Sequence, residues 1–380
     1  MRRRSVISAA LLGGAAVVAG PGRAGAAAPG PSDAGAAARV RELATAYLAD
    51  RASRITAAGP LGVTAATPAQ ASALSTAADR LDGVRHWLND VHGGYRRAST
   101  SVAVSRFTAE RTRVVATVRE QTDLYYTDVA PGAVTHMTYW ADHEVDLRRD
   151  GSRWLLAGAS YLPADPFSTP ATQFADELPA DLRALNDRRA ARSLTAVEPA
   201  GKPSAGPAVA KAAGSGVVAL AGYNYTAMVN YARAWATGRN PAYPTYSDDC
   251  TNFISQVMRA GGWATVGSSP RSDRKSSANW WYTMYPSTCS YTWGGAENWY
   301  WFATGSGRTY IIDMYSMGAG DVLQYDYDYD YNISHTQVCT GRDSTGPLMT
   351  QHGSDYRDKR LKEIMATPAN LNAWKYAHRT

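Results

Sequence analysis

Apolar residues recur at helical spacing in two early stretches: Val40, Leu43, Ala44, Tyr47, Leu48 and Ile55, then Leu74, Ala78, Leu81, Leu88 and Val91. Each set falls on one face of a 3.6-residue repeat and predicts an amphipathic helix. From Thr100 the pattern changes to β-rich runs over 101–107, 113–126, 134–148 and 153–161, with Asp150-Gly151 at the turn between the last two. Helices followed by antiparallel strands predict an α+β unit. Between 195 and 222 the pattern dissolves into Pro, Ala, Gly and Lys, which bury too little side chain to order themselves, so a linker is expected there. From Tyr223 onward the chain holds 17 of its 23 tyrosines, 8 of its 11 tryptophans and all three cysteines. The expected organisation is a leader over 1–28, a first domain over 29–194, the linker over 195–222 and a second domain over 223–380.

Length and composition narrow this picture. The 380 residues are 45% hydrophobic and 19% charged, which excludes a fibrous or wholly disordered chain. The formal charge of +6 rests largely on Arg2, Arg3, Arg4 and Arg23, so the remainder is nearly balanced and carries no nucleic-acid footprint. Those arginines flank an apolar run over 6–19 that ends in Pro21 and Ala24-Gly25-Ala26, the pattern of a secretory signal. The run is shorter than the ~20 residues that span a bilayer. The expectation is a secreted protein, exported by the Sec or the twin-arginine route, with no membrane attachment after cleavage. The element order of the first domain is similar to the NTF2-like cone, a curved sheet backed by helices.

The strongest chemical signal is a cysteine at a helix start. Ser247-Asp248-Asp249 precedes Cys250 and a helical run that stops at Gly261, with Asp as the expected cap. Phe253, Ile254, Val257 and Ala260 share an arc with Cys250, while Asn252, Ser255, Gln256 and Arg259 fall opposite. A free cysteine is by default a small buried hydrophobe. Here the thiol stands where backbone N–H groups and aligned peptide dipoles favour thiolate and can hold an oxyanion. No C-x-x-C spacing points to zinc or redox exchange.

A cysteine nucleophile needs an imidazole to accept its proton and return it to the leaving amine. His335 stands in a strand-like run and His352 in a second one, with turn residues 341–346 between them. A turn centred between Asp343 and Ser344 would place the two imidazoles cross-strand on one face, His335 as base and His352 as its orienter. A slip of one residue would substitute Gln351 for His352. His378, near the end of the chain, reads as a surface residue.

Asp249-Cys250-Thr251-Asn252-Phe253-Ile254-Ser255-Gln256, followed by Ala260-Gly261-Gly262 and preceded by Asn240-Pro241 and Tyr243, closely resembles the family called the putative amidase domain, amidase_6. The run from Gly320 to Asp326, His335 and Gln351-His352-Gly353 fit it in order and spacing, over about 223–376. That family is similar to the papain-like NlpC/P60 and CHAP cysteine peptidases. The resemblance implies an α+β, papain-like second domain with the cysteine helix packed on an antiparallel sheet. It also implies amide hydrolysis through a thioester, with Cys250 as nucleophile, His335 as base and acid, and His352 as orienter. Tyr246, or Tyr243, is the implied oxyanion tyrosine, and Asp249 and Gln351 complete the candidate oxyanion and substrate set. Cell-wall peptide or muramoyl-peptide bonds are the implied substrate, with no cofactor or metal.

Three further features carry weaker signals. Trp263, Trp280, Trp281, Trp293, Trp299 and Trp301 read first as core packing, with a groove for sugar or peptide as the alternative. Cys289 and Cys339 form the remaining even pair and a candidate disulfide. Tyr and Asp alternate over 325–332, which predicts an acidic strand edge rather than a calcium loop, because no glycine and no closing glutamate complete one. The competing function is a non-catalytic cell-wall or glycan-binding module with an idle Cys–His site, separable by wall binding and amine release in Cys250→Ala.

Overall fold

The computed structural model describes residues 31–62, 65–162, 222–328, 330 and 332–380. The expected leader and the 195–221 stretch lie outside the described residues. Among the described residues no helix is long and apolar enough to cross a membrane. Helix α1 (Pro31–Arg54) and helix α2 (Pro68–His92) open the fold. Thr67 caps α2 by accepting the Gln70 amide, and Gly93 ends it in the left-handed conformation that glycine adopts without strain. Strands β1 (Tyr95–Ala109), β2 (Arg113–Tyr126), β3 (His136–Asp150) and β4 (Arg153–Leu162) then run as an antiparallel meander, with Asp150 paired to Arg153 across the predicted turn. Val40, Leu43, Ala44 and Leu48 of α1 pack with Val114, Ala116, Val118, Val145 and Leu147 of the sheet.

The second half contributes α3 (Tyr225–Trp235), α4 (Cys250–Ala260), α5 (Tyr291–Gly294), α6 (Ala296–Gly305) and β5 (Tyr310–Ile312). It continues with β6 (Val322–Asp326), β7 (His335–Asp343), β8 (Gly346–Gln351), β9 (Tyr356–Arg360), α7 (Leu361–Met365), α8 (Pro368–Asn372) and β10 (Trp374–Arg379). All ten strands join one antiparallel sheet in the order β1-β2-β3-β9-β8-β7-β6-β10-β5, with β4 also on β3. The halves meet where Thr138 and Tyr139 of β3 pair with Arg357 and Tyr356 of β9. The fold class is therefore α+β, as expected.

Alternation along the second-half strands divides the core in two. Val322 and Val338 face α3, α4 and the tryptophans. Leu323, Tyr325, Cys339 and Met349 face the other way, toward Trp87 and Leu88 of α2 and Leu361 and Ile364 of α7.

Several local expectations change. Helix α4 is buried from Cys250 to Met258, because Trp293 and Tyr231 cover the face that carries Asn252, Ser255 and Gln256, while Arg259 on that face is exposed. Trp263, Trp280, Trp293 and Trp299 are fully buried, so packing is their role. Cys289 and Cys339 are both free thiols, which corrects the disulfide expectation. Cys289 belongs to the tryptophan cluster and Cys339 to the cluster on the opposite face of the sheet, so the sheet itself stands between them. The Tyr-Asp alternation holds only to Asp326, where β6 ends with Tyr325 stacked on Tyr327 at 5.5 Å; Tyr329 and Tyr331 lie outside the described residues. Asp326 is itself buried, not part of a solvated edge. His378 is also buried, because β10 is inserted between β5 and β6 instead of trailing on the surface.

Candidate active site

Cys250 occupies the first position of α4 and is 3% exposed. The first backbone bond of the helix runs from Phe253 N–H to Asp249 O (3.0 Å), so the amides of Cys250, Thr251 and Asn252 precede the intrahelical ladder. The thiol lies 3.6 Å from Thr251 Oγ1. Thr251 Oγ1 is in turn 3.0 Å from Thr336 Oγ1 at the start of β7. Gln324 Nε2 donates to Thr336 Oγ1 (3.3 Å) and to Ala296 O (2.9 Å), and its Oε1 faces His378 Nε2 at 3.0 Å. A chain of side-chain contacts thus leads from the sulfur through the sheet to β10. It fastens the helix start to the side of β7 that faces α4, whereas His335, the residue before Thr336, points to the opposite side of the strand. The sulfur is not hydrogen-bonded to either imidazole in this state.

His335 is held on the other face of β7. Its Nε2 lies 2.7 Å from Gln351 Oε1, which also accepts from Gln337 Nε2 at 2.8 Å. Gln351 Nε2 donates to Ser354 O (2.9 Å), which fixes the amide so that its oxygen faces the ring. His335 Nε2 is therefore the donor to Gln351. Tyr325 OH closes the array on Gln337 Oε1 at 3.1 Å.

His352 does something else. Its Nδ1 lies 2.6 Å from Asp249 Oδ2 and its Nε2 lies 2.7 Å from Trp235 O, and its ring stacks on Phe253 at 3.9 Å. Both nitrogens face acceptors, so the ring is tied down on both sides. It does not touch His335. The expected cross-strand pairing of the two imidazoles fails because β7 and β8 register Val338 with Thr350 and Cys339 with Met349, one residue away from the register that would align them. That slip brings Gln351, the alternative third member, to His335.

Asp249 does not cap α4 with its side chain. Its carboxylate instead accepts from His352, from Arg239 Nε (2.9 Å) and from Asn252 Nδ2 (2.7 Å). Arg239 continues to Asp355, and Asp355 to Arg119 on β2, so the ion-pair network crosses between the two halves of the chain. Tyr246 lies with its ring against Gly294, where a Cβ would come within 2.8 Å. Burial, then contact with Cys289, pushes its hydroxyl well above the usual range, so it stays a neutral donor. Tyr243 packs instead on Trp293, 5.9 Å between ring centroids.

Sequence reasoning missed Thr251, Thr336, Gln324 and Arg239. Thr336 was legible as the opposite-facing neighbour of His335 on a strand. Its partner on β6 and the path to His378 depend on which strands become neighbours.

A curated relative, "Uncharacterized protein YhbB" of Bacillus subtilis (strain 168), is 32% identical over 140 residues, which cover 36% of this chain and 43% of the relative. The chain thus spans less than half the length of the relative it matches. No solved structure matches the chain. Residues 222–376, which contain Cys250, His335 and His352, match the Amidase_6 family, described as "Putative amidase domain", and this part of the chain is similar to that family.

Proposed function

We propose that the protein is a cysteine-dependent amide hydrolase of papain-like, NlpC/P60-like type. The observation that carries the reading is Cys250 at the first position of α4, beside three amides that precede the intrahelical ladder, within the residues that match the amidase family. In the proposed reaction substrate binding rearranges the site so that the Cys250 thiol passes its proton to the His335 ring. The thiolate attacks the substrate carbonyl carbon, and the oxyanion is held by amides of the first turn of α4 and by Tyr246 OH. The C–N bond breaks as the imidazolium protonates the leaving amine, leaving a thioester on Cys250. Water, deprotonated by His335, then releases the acid and restores the thiol. Contacts of this kind tighten when substrate closes the site. Gln351 orients His335, and the His352–Asp249 pair holds the loop that delivers Cys250.

The substrate we infer is a peptide of the bacterial cell wall, cut in its stem or at the muramoyl–alanine bond, by a secreted enzyme that needs no cofactor. The support is the signal-like leader of the sequence and the family resemblance. The test is digestion of purified peptidoglycan with mass analysis of the fragments. Wild type should release new amines or peptides, Cys250→Ala should reduce release to background, and iodoacetamide should label Cys250 and stop turnover. Unchanged release by Cys250→Ala would overturn the mechanism; wall binding with no release from any wall type would favour a binding module.

A further inference from the structure

Beside the site lies a cavity of about 280 Å³ whose lining includes Tyr246, Arg274, Tyr291, Gly294, Gly295 and Asn298, and no acidic residue. Two of its lining residues belong to segments that also reach the site. Tyr246 is four residues before Cys250, and Gly295 precedes Ala296, whose carbonyl is bound by the same Gln324 amide that binds Thr336. The floor depends on two glycines. A Cβ at Gly294 would meet the Tyr246 ring, and one at Gly295 would meet Asn298 Oδ1 at 2.6 Å.

Arg274 is the charged group of this cavity. Its Nε donates to Cys289 O (2.9 Å) and its Nη2 to Pro286 O (3.1 Å), while its guanidinium sits over the Tyr291 ring at 4.8 Å. One fork of the guanidinium is thereby spent on two backbone carbonyls, and the ring fixes its plane. The second fork, Nη1 with the remaining N–H of Nη2, meets no carboxylate among the described residues. A guanidinium fork matches two coplanar oxygens, and a carboxylate fills it with two parallel charge-assisted hydrogen bonds.

We propose that this cavity is a substrate subsite for a carboxylate, held by Arg274 with the Asn298 amide as a further donor. Resting on the amide-hydrolase reading, the proposal narrows the substrate class to acyl-amino acids or peptides bearing a free carboxylate close to the scissile amide.

The test uses full-length Cys250→Ala protein, so that binding is measured without turnover. Isothermal titration with N-acetyl-L-alanine should give saturable binding, and the isosteric N-acetyl-L-alaninamide, which has no carboxylate, should bind about tenfold more weakly, as expected for one charge-assisted contact. Arg274→Gln should abolish that difference. Because Arg274 also braces the turn at Pro286–Cys289, phenylglyoxal modification of the unsubstituted side chain provides a second measurement. N-acetyl-L-alanine should protect Arg274 in peptide mass maps, and the amide should not. Absent binding of the acid, equal affinity for acid and amide, a preference that survives Arg274→Gln, no protection, or equal competition by inorganic phosphate would each overturn the carboxylate assignment. Loss of Cys250-dependent hydrolysis with the acid preference intact would sink the hydrolase reading alone.

Discussion

His335 and His352 differ in what their nitrogens face. His335 meets the Gln351 amide oxygen through Nε2, whereas both nitrogens of His352 face acceptors, a carboxylate and a carbonyl. Substituting their partners therefore separates chemistry from stability. Gln351→Ala removes the fixed orientation of a general base, and kcat should fall by about ten- to a hundredfold with little change in KM. His352→Ala strips the buried Asp249 carboxylate of a hydrogen-bond partner and should cost about 1–3 kcal/mol, read as a lowered urea midpoint. Equal effects of the two variants on midpoint and kcat would contradict this division. A pH dependence belongs to His378, which burial pushes down to about 3. That is below its unfolded value of roughly 6.5, so its contribution to stability is complete above that pH and is lost as pH falls toward the folded value. Between pH 6.5 and 4.5 wild type should lose about 2–3 kcal/mol more than His378→Gln, whose amide keeps a donor and an acceptor for Gln324 and Thr309. Parallel stability curves for the two proteins would refute this assignment.

At the scale of elements, helix α4 was legible from its ends and its apolar arc: it starts at Cys250 and stops before Gly261, as the sequence predicts. What covers its polar side was not. Asn252 Oδ1 accepts from Trp293 Nε1 (2.7 Å), Ser255 Oγ donates to Trp293 O (2.7 Å), and Tyr231 OH donates to Gln256 Oε1 (2.6 Å). A polar arc on a helix normally signals solvent; here it signals buried partners delivered from elsewhere in the chain. Trp293→Phe keeps the aromatic volume but orphans the Asn252 oxygen, and should cost about 1–3 kcal/mol by chemical denaturation. A smaller loss in Trp293→Phe/Asn252→Leu than in Trp293→Phe would confirm the coupling; additive losses would argue against it. Strand β7 shows the same limit, since its alternation is local but the register that chose Gln351 over His352 is set between strands.

Across the whole molecule the sheet does not stop at the boundary between the halves. Arg360 is fully buried, pairs with Asp343 at 2.6 Å, lies over the Tyr126 ring at 3.8 Å and donates to the carbonyls of His92 and Asp128. Next to it, Glu363 meets His92, Tyr95 and Lys359. Burial alone would raise its carboxyl, but these partners outweigh it and hold it at about 2. Groups from both halves satisfy these buried charges, so the halves should unfold together. Thermal unfolding should show one cooperative transition, and Arg360→Met, which leaves Asp343 buried without its cation, should lower the stability of the whole by about 3 kcal/mol. Two separated transitions, of which Arg360→Met shifts one, would overturn this view.

By itself the sequence determined the elements of this protein, because helical and strand periodicity, caps and turns are properties of neighbouring residues. It also marked Cys250, whose string of neighbours is local, and limited the base to two histidines. Tertiary structure alone decided which histidine meets Gln351, that Cys289 and Cys339 lie on opposite faces of a sheet, that the terminal strand with His378 is interior, and that Arg274 meets a cavity without an acid. Those facts turn on strand order, a one-residue register and the contents of a buried volume, each fixed by contacts between residues far apart in the chain.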